Sequence, residues 1–181
     1  MPWLATTRVI GLNNLSPTAR NLFCRHEVLH RVAEAYSRSE APVAASIVER
    51  KRTAPGVELE PWHFDGLDKR FKAFVYLNDV DEKNGPFEYL IGSHRLSVWK
   101  FKRLFAWHRT RTKNPNSGDF FDKAHFRDDE ATDVLQRFPR VTVTGKTGTL
   151  FLFDGRGIHR GRTLESGTRV IMYNGYRAKN F

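Results

Sequence analysis

His63 and Asp65 stand two residues apart, and a second histidine, His159, closes a strand-like run much later in the chain, with Arg169 ten residues beyond it. In an extended strand, side chains at i and i+2 share a face, so His63 and Asp65 point one way while Trp62 and Phe64 point the other. Two histidines and one carboxylate can cover one face of an iron(II) ion and leave the opposite face open. A guanidinium can grip a carboxylate through two parallel hydrogen bonds, and a buried arginine needs such an anion. Together the four residues describe a site for iron and a small diacid. Taken alone, His63-Phe-Asp65 also fits a satisfied core or surface histidine, and Arg169 also fits a cation at the start of a surface strand.

Positioning these groups requires strands. Thr18–Tyr36 reads as an amphipathic helix with Leu22, Leu29, Val32 and Ala33 on one side, ending near Ala41-Pro42. Beyond it the texture is mainly β. Val43–Arg52, Leu59–Asp65, Phe71–Leu77 and Phe87–Ile91 read as strands, separated by turns at Pro55-Gly56 and Asn84-Gly85-Pro86. Ser97–Arg111 changes to a helical period with a basic outer face, 115–118 is loop, and Asp128–Phe138 is a second helix. Val141–Thr144, Thr149–Asp154, Gly157–His159 and Arg169–Arg177 return to strand. Many short strands between turns predict a sandwich or barrel, and a jelly roll would bring the early and late strands of the site together.

The 181 residues fit a single domain, with helical support over 1–42, a β core over 43–95 and 139–177, and a helical, basic insertion over 96–138. The lone cysteine, Cys24, precludes an intrachain disulfide and suits a reducing compartment. No apolar stretch approaches the ~20 residues of a membrane span. Met1–Gly11 lacks a charged region ahead of an apolar core, so the expected location is cytoplasmic; Arg8, Arg20 and Arg25 near the start, without acids, weakly resemble a transit peptide. The net charge is +10, and residues 91–118 carry seven Lys or Arg and no Asp or Glu. Such a field favours anionic partners, whether a small acid, a thioester of the CoA type or nucleic acid; a solvated basic face accounts for it as well.

Pro61-Trp-His63-Phe-Asp65, Phe71-Lys-Ala-Phe-Val-Tyr-Leu-Asn-Asp-Val80, Asn84-Gly-Pro-Phe-Glu-Tyr-Leu-Ile-Gly-Ser-His94, and Ile158-His159-Arg-Gly with Arg169 together resemble the phytanoyl-CoA dioxygenase superfamily, over about residues 43–177. The resemblance implies a double-stranded β-helix (a cupin-like jelly roll), iron(II), 2-oxoglutarate as co-substrate, and use of O2 to oxidise an unactivated C–H bond with release of succinate and CO2. It makes His63, Asp65 and His159 the iron ligands and Arg169 the partner of the distal carboxylate of 2-oxoglutarate. Halogenases of the superfamily usually lack the carboxylate ligand, so Asp65 implies hydroxylation.

The chain departs from the family pattern at Glu60 and Pro61, where glutamine often stands, and at Gly161, where many members have a hydroxyl residue. Thr163 or Tyr173 could substitute in the co-substrate clamp, and Lys72 could face the pocket and touch a carboxylate. His94, Arg160 and Arg162 are candidates for contact with a small anionic substrate. His26, His30, His108 and His125 show no spacing that suggests metal. Two rivals to a hydroxylase remain: a β-barrel binding protein that kept the fold and lost oxidation, and a nucleic-acid-binding or nucleobase-modifying protein using the basic 91–118 segment. The sequence does not specify an oligomeric state.

Overall fold

The computed structural model describes residues 6–53, 61–95, 97–103, 105, 125–126 and 132–178. Among these, ten strands form two antiparallel five-stranded sheets. One runs β1 (Thr6–Ile10), β2 (Val43–Arg52), β10 (Thr168–Arg177), β4 (Arg70–Tyr76), β8 (Leu150–Asp154). The other runs β6 (His125–Phe126), β3 (Trp62–His63), β9 (His159–Gly161), β5 (Phe87–Leu90), β7 (Arg140–Val143). Early strands lie beside late ones in both sheets, which is the double-stranded β-helix the sequence implied.

Alternation in β4 shows why this chain makes layers. Phe74 and Tyr76 face inward and pack with Val80, Phe87, Phe153 and Ile171 between the sheets. Phe71 and Ala73 face outward, where Tyr176 and the helical N-terminal region cover them. A third cluster forms on the outer face of the second sheet, where Trp62, Phe64, Leu90 and Ile158 meet Val134 of helix α5 (Thr132–Arg137). Trp62 and Phe64 are fully buried there. Each such side chain contributes ~1.5–3 kcal/mol by burial. A one-residue slip would exchange them with His63 and Asp65, so apolar packing outside fixes the polar face inside.

The helix expected over Thr18–Tyr36 is interrupted. Ser16 caps a short turn, α2 (Pro17–Ala19), by accepting a hydrogen bond from Ala19 N–H at 3.1 Å, and a π-helical turn follows over Arg20–Cys24. His26 is extended, and the chain restarts as α3 (Glu27–Ser37). The break changes which side is covered. Leu29 and Ala33 are buried as expected, but Leu22 is 70% exposed and Val32 is also exposed, while Phe23 and Cys24 take the core positions. β1 was not anticipated: all five of its residues are exposed, so it has no buried face to mark it, and its pairing to β2 is made by backbone.

The strand expected over 59–65 pairs only at Trp62–His63, and its first residues, with Glu60 and the 55–56 turn, lie outside the described residues. Most of the basic insertion does too. Its described parts are a helix, α4, over 98–103, then β6 and α5. β6 adds to the edge of the second sheet by pairing with β3, and Arg103 of α4 donates a hydrogen bond to the His125 carbonyl at 2.8 Å.

Candidate metal centre

β3 and β9 pair through a single register contact, His63 opposite His159, and this brings the two distant imidazoles to a ring separation of 4.3 Å. Asp65 follows β3 directly and is anchored by its N–H to the Gly155 carbonyl at 2.8 Å. One ligand atom from each of His63, Asp65 and His159 falls within 4.8 Å of the others. Asp65 Oδ2 comes within 3.8 Å of His159 Nε2.

The donor set fits a divalent metal in three ways. His159 Nδ1 faces the Gly157 carbonyl at 2.8 Å and His63 Nδ1 faces the Pro61 carbonyl at 3.3 Å. Those carbonyls hold the protons on Nδ1 and leave Nε2 as the ligand lone pair. Asp65 Oδ2 is buried and receives no well-directed hydrogen bond, with the Lys72 ammonium 2.8 Å away as its counter-charge. Finally, Gly155 leaves room for it, since a Cβ there would stand 2.1 Å from Oδ2.

Electrostatics keep the ligands in the required forms. Burial, reinforced by the neighbouring His159, holds His63 well below its ordinary value. Burial likewise lowers His159 to about 4, against the opposing pull of Asp65. Both rings are therefore neutral at pH 7. Burial pushes the Asp65 carboxyl up, but Lys72, His159 and His63 outweigh it and hold it well below the usual carboxylate range. The Lys72 ammonium donates to Asp65 Oδ1 at 2.9 Å, so the carboxylate it meets is the metal-ligand candidate itself.

A cavity of about 300 Å³ opens against His63 and His159, with walls from both sheets. Arg169 lines it and is only 3% exposed. Its guanidinium donates to the Gly85 carbonyl and lies 3.8 Å from Glu49. Glu49 is a hub: Arg8 binds it at 2.5 Å and Lys51 stands 3.5 Å away. Burial raises the Glu49 carboxyl, and Lys51, Arg8 and Arg169 more than reverse this. Burial pulls Lys51 down to about 8. Tyr173 also lines the cavity, stacked on Phe74 at 4.6 Å, with its phenol pushed up to about 12 by burial.

Four expected contacts lie elsewhere. β9 alternates, so His159 and Gly161 face the cavity while Arg160 turns outward, bound to Glu88 at 2.7 Å and stacked over Trp62 at 4.3 Å. Arg162 is held by Glu82 and Glu165 at the surface. Thr163 does not line the cavity, and its hydroxyl is buried without a hydrogen bond. His94 lines a second cavity, also about 300 Å³, with Tyr36, Tyr89 and Asp154.

The sequence reading missed Glu49, Lys51, Arg8 and His125. Glu49 and Lys51 share a strand face by their i, i+2 placement, but they lie in the charged end of β2, between and beside Arg50 and Arg52, where nothing in the sequence marks them as buried. His125 gave no signal at all, because the β6–β3 register alone places it against His63, ring on ring at 4.7 Å and 23°.

The family model described as Phytanoyl-CoA dioxygenase (PhyH) matches residues 5–170. No curated protein sequence matches the chain significantly. Among solved structures, the chain resembles the non-heme alpha ketoglutarate dependent carbocyclase SnoK from nogalamycin biosynthesis, with TM-score 0.68 and 18% identity over 96% of this chain and 64% of that one. EctD from S. alaskensis with bound Fe gives TM-score 0.67 and 21% identity over 94% of this chain and 56% of that one. HygX from Streptomyces hygroscopicus, with nickel and 2-oxoglutarate bound, gives 0.63 and 18% over 98% and 71%. The chain thus spans less than two-thirds of the length of the first two. These likenesses show a shared fold.

Proposed function

Because the chain belongs to the phytanoyl-CoA dioxygenase family, we propose that it is an iron(II)/2-oxoglutarate-dependent oxygenase that hydroxylates a small, anionic substrate. The observation that carries this reading is the convergence of His63, Asp65 and His159, with both histidines lining a cavity that Arg169 also lines. When bound, iron(II) with 2-oxoglutarate and O2 would supply the oxidation of an unactivated C–H bond, with succinate and CO2 as co-products.

The chain's own residues prepare that chemistry. The two Nε2 atoms and the Asp65 carboxylate hold the metal, and the backbone carbonyls of Pro61 and Gly157 aim the imidazoles. Arg169 receives the distal carboxylate of 2-oxoglutarate, sharing its charge with Glu49. Lys51 and Arg8 add positive charge beside it, which suits acidic ligands. Phe74, Tyr76, Phe87 and Phe151 give the cavity an aromatic lining that keeps water from the reacting centre. Asp65 fills the position that a halide would need, which favours hydroxyl transfer.

The test is an anaerobic titration of metal-free protein with iron(II) and 2-oxoglutarate, followed by a succinate assay against a metabolite pool. A weak visible charge-transfer band is expected, lost in His63→Ala and His159→Ala. Arg169→Met should weaken 2-oxoglutarate at least about tenfold, since a charge-assisted hydrogen bond is worth ~1.5–3 kcal/mol, while leaving metal affinity in place. A folded wild-type protein that binds iron(II) but shows no band with 2-oxoglutarate overturns the proposal. Formation of the band without succinate would favour a binding protein over an oxygenase.

A further inference from the structure

Lys100 is the most anomalous buried residue outside the triad. It sits on α4, is 1% exposed, and ranks among the largest fully buried side chains. A lysine is almost never buried to this degree without strong partners. Its ammonium donates to two backbone carbonyls, Ser93 and Arg156, and lies 5.3 Å over the ring of Phe64.

All three partners adjoin the metal ligands. Phe64 stands between His63 and Asp65. Arg156 sits in the turn 154–157 that joins β8 to β9. From that turn the Gly155 carbonyl accepts the Asp65 N–H at 2.8 Å, and the Gly157 carbonyl aligns His159 Nδ1 at 2.8 Å. Ser93 reaches the same place from the other side, since its hydroxyl accepts the N–H of Ile158, next to His159, at 2.7 Å. Two carbonyls of this turn therefore set Asp65 and His159, the Ser93 hydroxyl holds the residue next to His159, and the ammonium ties the turn to the segment leading into α4.

We propose that Lys100 is a positioning residue for the metal centre, clamping the 154–157 turn against Ser93 and so fixing the orientation of Asp65 and His159. The inference rests on the reading that the triad holds a metal. An apolar side chain of similar length would fill the same volume but would leave the Ser93 and Arg156 carbonyls without their donor. The turn would then rest on its remaining bonds, among them Gly155 N–H to the Arg70 carbonyl and the phenols of Tyr36 and Tyr89 to Asp154, and its 156–157 end would shift with the ligands. Groups that orient metal ligands typically change affinity by 10–100-fold when removed.

The experiment measures cobalt(II) affinity and the cobalt(II) visible spectrum, which reports ligand geometry, for wild type, Lys100→Met and Leu29→Ala. Leu29 is a buried core residue of α3, about two helical turns from Tyr36, the α3 residue that bonds Asp154 and Arg156, and serves as the control for lost stability alone. Lys100→Met is expected to weaken cobalt(II) by ~10–100-fold and alter its spectrum, while Leu29→Ala lowers the melting temperature and leaves both unchanged. Equal affinity and an unchanged spectrum in folded Lys100→Met overturn the inference, as does an equal loss in Leu29→Ala. If Lys100→Met does not fold, Lys100→Gln carries the same test, because it keeps a polar tip but removes the ammonium that bridges the Ser93 and Arg156 carbonyls; unchanged cobalt(II) affinity and spectrum there overturn the inference. A wild-type protein that binds no cobalt(II) or iron(II) would instead remove the metal reading itself.

Discussion

Two imidazoles held neutral by burial make the site's pH dependence calculable in sign. His159 is lowered from 6.5 to about 4 in the fold, so between those values the unfolded chain binds a proton that the native one refuses. Stability therefore rises with pH across that window and falls on acidification. His63, shifted in the same direction, adds to the slope. Asp65 acts further down: its lowered carboxyl stabilises the fold above the ordinary carboxylate value and loses that contribution in stronger acid. Urea denaturation of metal-free protein between pH 7 and pH 4 should show a steady loss of stability. His159→Asn, which cannot titrate there, should flatten part of it. A profile identical to wild type would show that His159 is not buried neutral.

The β8–β9 turn, more than either strand, decides whether the ligands meet. Gly155 is its critical member, because the space a Cβ would take is already filled by Asp65 Oδ2. Gly155→Ala should push the carboxylate out of the triad and weaken iron(II) at least about tenfold, the range seen when ligand orientation is lost. Calorimetric titration checks this, and unchanged affinity would mean that Asp65 is not a ligand. The same scale shows how much was legible beforehand. β2, β4, β5, β8 and β10 were readable because each alternates or runs apolar, and the His63-x-Asp65 face followed from period two. β1 was not readable, since nothing on it is buried. The helix break at His26 was also hidden, because the apolar residues of 22–33 fit one helix as well as two pieces. His94, Arg160, Arg162 and Thr163 do not line the cavity beside His63 and His159, for a common reason: nearness in sequence to a ligand candidate does not tell which way a short strand or turn throws the next side chain.

At the scale of the whole molecule, one sheet holds a buried charge cluster, Glu49 with Lys51 and Arg169, in the wall of the cavity that His63 and His159 also line. A metal or diacid that binds the native state and not the unfolded one raises stability by mass action, about 2.7 kcal/mol at a hundredfold excess over Kd. Iron(II) with 2-oxoglutarate, added anaerobically, should thus raise the melting temperature by several degrees more than either alone. A monoacid lacking the distal carboxylate should give little of the added rise. Equal shifts with both acids would show that Arg169 makes no use of that carboxylate. Among the described residues no helix is long and apolar enough to cross a membrane.

β6 belongs to the 96–138 stretch, yet it is hydrogen-bonded to the strand that carries His63, and its own histidine lies flat against that ring. Swapping this stretch for a relative's loop, the obvious route to a new specificity, would therefore be no neutral graft. Each chimera would arrive with an altered neighbour beside a proposed iron ligand, so selectivity and metal retention would have to evolve together. Engineers would do well to transplant β3 and β6 as a pair.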